Sequence, residues 1–65
     1  MMPNYERKKD IQDLQLFDVV KYGQWKQVSE LIDSYCSIVD IKYITVKFDD
    51  GSSEIFHPTE RIEVC

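Results

Sequence analysis

His57, Cys36 and Cys65 are the side chains in this 65-residue sequence best suited to metal or nucleophilic chemistry. Structural zinc takes four ligands, commonly in close cysteine pairs, whereas these three donors show no paired spacing. A Cys–His nucleophilic pair needs a third group to orient it and an oxyanion site. A chain this short has little room for the concavity of roughly 300–1,000 Å³ that encloses a small substrate. His57 therefore reads as a surface histidine before Pro58, Cys36 as a small apolar filler and Cys65 as an exposed thiol. Asp49, Asp50 and Glu54 lack the spaced oxygen ligands of an EF-hand loop and read as a solvated turn. Gly23 and Gly51 are the only glycines, which removes the phosphate-cradling loops. No catalytic residue, no metal ligand and no cofactor is assigned, and the expectation is a non-enzymatic protein.

The charge distribution narrows the partners. The formal charge is −4, but Arg7, Lys8 and Lys9 against Glu6 make the first nine residues net basic, so Asp10 onward carries −6. Phosphate-binding domains usually display a basic face, and none is visible in the linear pattern. The Arg7-Lys8-Lys9 cluster reads as a solubilising arm. Neither an apolar run of membrane-spanning length nor the apolar core of a signal peptide is present, and two cysteines do not make a disulfide framework. The expected setting is cytoplasmic, away from any membrane.

The elements that would position these residues are mostly strands. Asp10 is a candidate cap for a short helix with Ile11 and Leu14 on successive turns. Leu16 to Tyr22 is rich in β-favouring types and stops at Gly23. Gln24 to Cys36 is ambiguous. Trp25, Val28, Ile32 and Tyr35 form a stripe at helical spacing, while the tight Tyr22-Gly23-Gln24-Trp25 connection favours a strand whose register a bulge repairs. Tyr43 to Phe48 and Ser53 to Phe56, joined by Asp49-Asp50-Gly51-Ser52, predict a hairpin with Ile44, Val46 and Phe48 on one face. His57 to Glu60 reads as a break with a 3₁₀ turn, and Arg61 to Cys65 as a closing strand.

This run, with Phe17-Asp18-Val19-Val20-Lys21-Tyr22, Ile44 to Phe48 before Asp49-Asp50-Gly51, and His57-Pro58 before Arg61-Ile62-Glu63-Val64, resembles the small SH3-like barrels of the Tudor-like and KOW-like kind. The resemblance covers about Leu16 to Cys65. It implies a mainly β fold, a five-stranded SH3-like barrel over residues 14–65 preceded by an N-terminal arm or short helix over 1–13. The segment Asp33 to Lys42 is longer than a minimal loop of such a barrel. The alternative is an α+β domain with a helix at 24–36 packed on an antiparallel sheet. Such barrels bind peptides, methylated side chains, nucleic acids or assemblies, and fold analogy does not choose among them.

The leading expectation is a protein-interaction module that binds another protein through an edge strand or aromatic patch, with Tyr22, Trp25 and Tyr43 as binding residues. A second reading is an acidic inhibitor, of the size encoded by phages and mobile elements, occupying a basic nucleic-acid site of a host enzyme. A KOW-type nucleic-acid module ranks last, because it needs Lys21, Lys26, Lys42 and Lys47 on one positive face. A homodimer and a monomer are equally open, since a thin core is often completed by a second subunit.

Overall fold

The Asp50-Gly51 hairpin forms as its residues dictate. A computed structural model describes residues 7–65 and pairs β4 (Ile41–Phe48) with β5 (Ser53–Phe56) in antiparallel register, Ile44 opposite Phe56 and Lys47 opposite Ser53. The Phe48 N–H donates to the Ser52 carbonyl at 2.9 Å and the Gly51 N–H to the Phe48 carbonyl at 3.0 Å. Gly51 sits at φ 90°, where only glycine is unstrained, so three residues can reverse the chain.

Gln24 to Cys36 is one strand, β3, of 13 residues, and the helix alternative at 24–36 is overturned. Between Val28 and Glu30 the register against β4 shifts by one residue, a bulge that leaves Ser29 without a partner. The helical-looking stripe is split by the strand between two faces. Val28 faces the core opposite Phe48, the extra residue resets the alternation so that Leu31 faces it opposite Val46, and Trp25 and Ile32 fall on the other side. Asp33 to Lys42 is likewise paired strand on both sides of a turn at 37–40, so this distal half of the β3–β4 hairpin projects as a long arm. The molecule measures 49 × 24 × 18 Å.

The remaining strands are β1 (Arg7–Asp10), β2 (Val19–Tyr22) and β6 (Arg61–Val64). All pairings are antiparallel, in the order β1-β6-β2-β3-β4-β5. The sheet is thus six-stranded and open, where five strands in a closed barrel were expected. The sixth comes from the supposed arm: Arg7 to Asp10 pairs with β6, Arg7 opposite Val64. Residues 1–6 of that predicted arm lie outside the described residues. Ile11–Asp13 forms a single 3₁₀ turn in place of a short helix, its Ile11 and Gln12 N–H groups donating to the carbonyls of Glu60 and Pro58. Leu16 and Phe17 are not strand but an exposed turn, with Phe17 at φ 72°. His57 to Glu60 is a hydrogen-bonded turn, with the Glu60 N–H donating to the His57 carbonyl, in place of the expected 3₁₀ turn.

The core follows from the alternation. Val20, Val28, Val46 and Ile11 are fully enclosed, and Leu14, Ile44, Phe48, Ile62 and Val64 are buried around them. Each lies on the inner face of its strand, or, for Ile11 and Leu14, in or just after the 3₁₀ turn that closes one end. Most of the arm adds nothing to this core.

Candidate functional site

The three residues expected to bind do not converge. Tyr22 ends β2 on the inner face, in offset stacking with Phe48 at 6.1 Å between ring centroids and edge-on to Phe56 at 5.6 Å. This contact between β2 and β5 shows how strongly the sheet curls. Trp25, half exposed, lies opposite Lys21 on the outer face. Tyr43, half-buried, is on the outer face opposite Ser34, nine residues further along β3 and up to about 30 Å away at strand rise.

Tyr22 instead belongs to a polar and aromatic corner. The Lys26 ammonium lies 5.9 Å from the Tyr22 ring centroid and 5.2 Å from that of Phe48. It is held there by the Asp50 carboxylate at 3.2 Å and the Ser52 hydroxyl at 3.0 Å. Asp50 also accepts the Ser52 N–H at 2.9 Å and the Ser52 hydroxyl at 2.5 Å. These Ser52 bonds, with Lys26 behind them, hold the Asp50 carboxyl down at about 2. The Tyr22 phenol is shifted upward, first by desolvation, then by the Glu54 carboxylate and by Glu60.

The strongest departures from an ordinary surface are apolar. Ile38 at the arm's turn is 92% exposed, and Tyr35, Val39 and Ile41 beside it are all about half exposed or more. Ile55 on β5 is 63% exposed. Leu16 and Phe17 form a separate exposed pair. At the arm's end the Tyr35 hydroxyl donates to Asp40 at 2.5 Å, which raises the phenol pKa. Asp40 takes φ 55°, a conformation that aspartate tolerates better than most residues. Between the arm and the His57–Thr59 turn runs an open cleft of about 380 Å³, lined by Tyr35, Asp40, Lys42, His57 and Thr59 among others.

Among the described residues two backbone edges are unpaired, those of β1 and β5. Because the Phe48 N–H bonds to Ser52, alternation along the hairpin turns Glu54 and Phe56 toward β4 and leaves the N–H and C=O of Ser53 and Ile55 directed outward. On the other edge, the Cys65 N–H bonds to Val19, which by the same parity turns Ile62 and Val64 toward β1 and leaves Lys8 directed outward.

The lysines are dispersed. Lys26 is engaged by Asp50 and Lys47 lies 3.7 Å from Glu30, while Lys21 and Lys42 are on different strands at opposite ends of the sheet. Among the described residues no group of three or more His, Cys, Asp or Glu side chains could hold a metal ion, and Cys36 and Cys65 are both free thiols. Among the described residues no helix is long and apolar enough to cross a membrane. The exposure of Ile38 and Ile55 was missed from sequence, because alternation assigns a residue to a face without saying whether anything covers that face. No protein-family model, curated protein or solved structure matches the chain.

Proposed function

We propose that this chain is a non-enzymatic protein-interaction module that docks a partner protein on its arm and the adjoining open edge. The observation that carries this reading is the exposed apolar surface of the arm, Tyr35, Ile38, Val39 and Ile41, on an element that contributes almost nothing to the core. An unburied apolar hairpin forfeits the free energy of burying it, about 25 cal/mol per Å². Exposed apolar clusters mark interaction sites, and here they ring the arm's tip, with Tyr35 on one face, Ile41 on the other and Ile38 and Val39 in the turn between. Strands β2 to β6, five antiparallel strands about a small core with a turn before the last, also support the SH3-like reading of the fold, with β1 added at one edge and β3 and β4 extended into the arm.

The test is a doubly substituted arm, Ile38→Ser with Val39→Ser, compared with the parent chain for co-purification of its partner from the native host. The variant keeps the thermal midpoint of the parent and loses the partner. Undiminished recovery of the same partner would remove the arm from the binding surface and the reading with it.

A further inference from the structure

The β5 edge combines three properties that elsewhere in the molecule occur apart. Among the described residues it is unpaired on its outer side, with the N–H and C=O of Ser53 and Ile55 directed away from β4 by hydrogen-bond parity. Short as it is, it lacks the proline, lysine and bulge that most often blunt an edge: Ser53-Glu54-Ile55-Phe56 holds neither residue, and its register against β4 is regular. Its surroundings are acidic. Glu54 points to the same side as Phe56, next to Tyr22, and Glu60 lies close enough to act on the same phenol while its carboxylate accepts the His57 N–H at 2.7 Å.

Among the described residues neither carboxylate has a cation within ion-pair distance, although the Lys26 ammonium lies over the neighbouring Tyr22 ring. The ion pairs among the described residues are Lys9–Asp18, Lys26–Asp50, Lys47–Glu30 and Arg61–Asp10, so neither Glu54 nor Glu60 is in one. The two lysines nearest in the sheet are already committed, Lys26 to Asp50 and Lys47 to Glu30. An occupant of this edge therefore meets two carboxylates and an aromatic ring within reach of one side chain.

A strand added to β5 hydrogen-bonds at Ser53 and Ile55, and opposite charges across adjacent strands stabilise the pairing while like charges oppose it. We infer that the β5 edge receives a basic, extended protein segment as a seventh strand, with one Lys or Arg side chain set against Tyr22, Glu54 and Glu60. This inference rests on the protein-interaction reading above and names its partner's chemistry. A second copy of the chain fits less well: self-pairing that sets Glu54 opposite its own copy is repulsive, and the chain as a whole is acidic.

The experiment measures fluorescence polarisation of two labelled hexapeptides, alternating Lys-Val and alternating Glu-Val, against the full chain at low and moderate salt. The Lys-Val peptide binds and weakens with salt, and the Glu-Val peptide binds more weakly. Glu54→Gln with Glu60→Gln weakens the Lys-Val peptide by about two- to fivefold, the range for cross-strand charge pairs. Ile55→Pro deletes an outward donor that β4 does not use, so the hairpin keeps its own bonds while peptide affinity falls by about fivefold or more. Retained amide dispersion in the spectrum of that variant verifies the fold. Glu54→Lys is the second variant, and it reverses the preference between the peptides.

Equal binding of both peptides, lost in Ile55→Pro, overturns the basic partner and leaves edge docking standing. Salt-sensitive Lys-Val binding that ignores Ile55→Pro overturns the seventh strand. Absence of binding by either peptide overturns the inference as a whole, while the interaction reading is judged separately by the serine variant of the arm.

Discussion

Asp50 shows how a single side chain ties the hairpin turn to the aromatic corner. Its carboxylate takes two bonds from Ser52 and pairs with Lys26, which in turn lies over Tyr22 and Phe48. Its folded pKa of about 2 is below the ordinary value of 3.8, so its contribution to stability is complete above about pH 4 and is lost as the pH falls toward 2. Asp18 shifts in the same direction, first through the Gln15 N–H and then through Lys9, and adds to the same loss. Thermal melts from pH 5 to pH 2 should show a falling midpoint, and Asp50→Asn should flatten part of that fall. A midpoint equally steep in the variant would remove Asp50 from the account. Phe17 is a second single-residue case, a bulky residue at φ 72° and 70% exposed. Left-handed backbone costs a non-glycine residue about 1–2 kcal/mol, and asparagine tolerates it best. Phe17→Asn should therefore raise stability by about 0.5–1 kcal/mol in urea melts, and a loss of stability would show that the ring packs more than its exposure implies.

The elements differ in what they owe to the core and in how plainly the sequence declares them. Ile44, Val46 and Phe48 alternate with polar residues and end at Asp50-Gly51, so the β4–β5 hairpin and its buried face were readable directly. β6 was readable for the same reason. β3 was not, because Trp25, Val28, Ile32 and Tyr35 stand at helical spacing while the strand splits them between two faces. β1 was hidden by composition: Arg7-Lys8-Lys9 has no apolar alternation, and it becomes a strand only because β6 offers a free edge. The proposed binding residues were the least legible, since Tyr22 and Trp25 lie on opposite faces and Tyr43 lies far from both. Two predictions separate core from arm. Phe48→Ala removes a buried ring at a cost of about 3–5 kcal/mol, comparable to the whole stability expected of a domain this size, and circular dichroism should show a largely unfolded chain at room temperature. Replacing 35–42 by a two-residue Asn-Gly turn between Ser34 and Tyr43, a pair whose backbone groups face each other by the same parity, should leave the midpoint within a few degrees, because Leu31 and Ile44 remain and the deleted stretch holds no buried residue. Unfolding of that shortened chain would mean that the arm stabilises the domain and is not set aside for binding.

At the scale of the whole molecule, a thin core supports an open sheet with an arm out of proportion to it. The curl brings Tyr22 of β2 against Phe56 of β5, yet the sheet closes only through side chains, and the backbone of β5 stays open beside Glu54 and Glu60. Lys26, Lys47, Lys9 and Arg61 are each drawn into ion pairs, so the acidic excess is expressed at places such as this edge. The account's central claim is that partner binding occurs on the arm and β5. The most direct test is residue-by-residue amide shift mapping of the isotopically labelled chain during titration with the alternating Lys-Val peptide. The account predicts perturbations concentrated at Ser53, Ile55 and Tyr22 and extending to Ile41 at the base of the arm's turn. A map centred on Leu16, Phe17 and Trp25, with Ser53 and Ile55 unmoved, would contradict it.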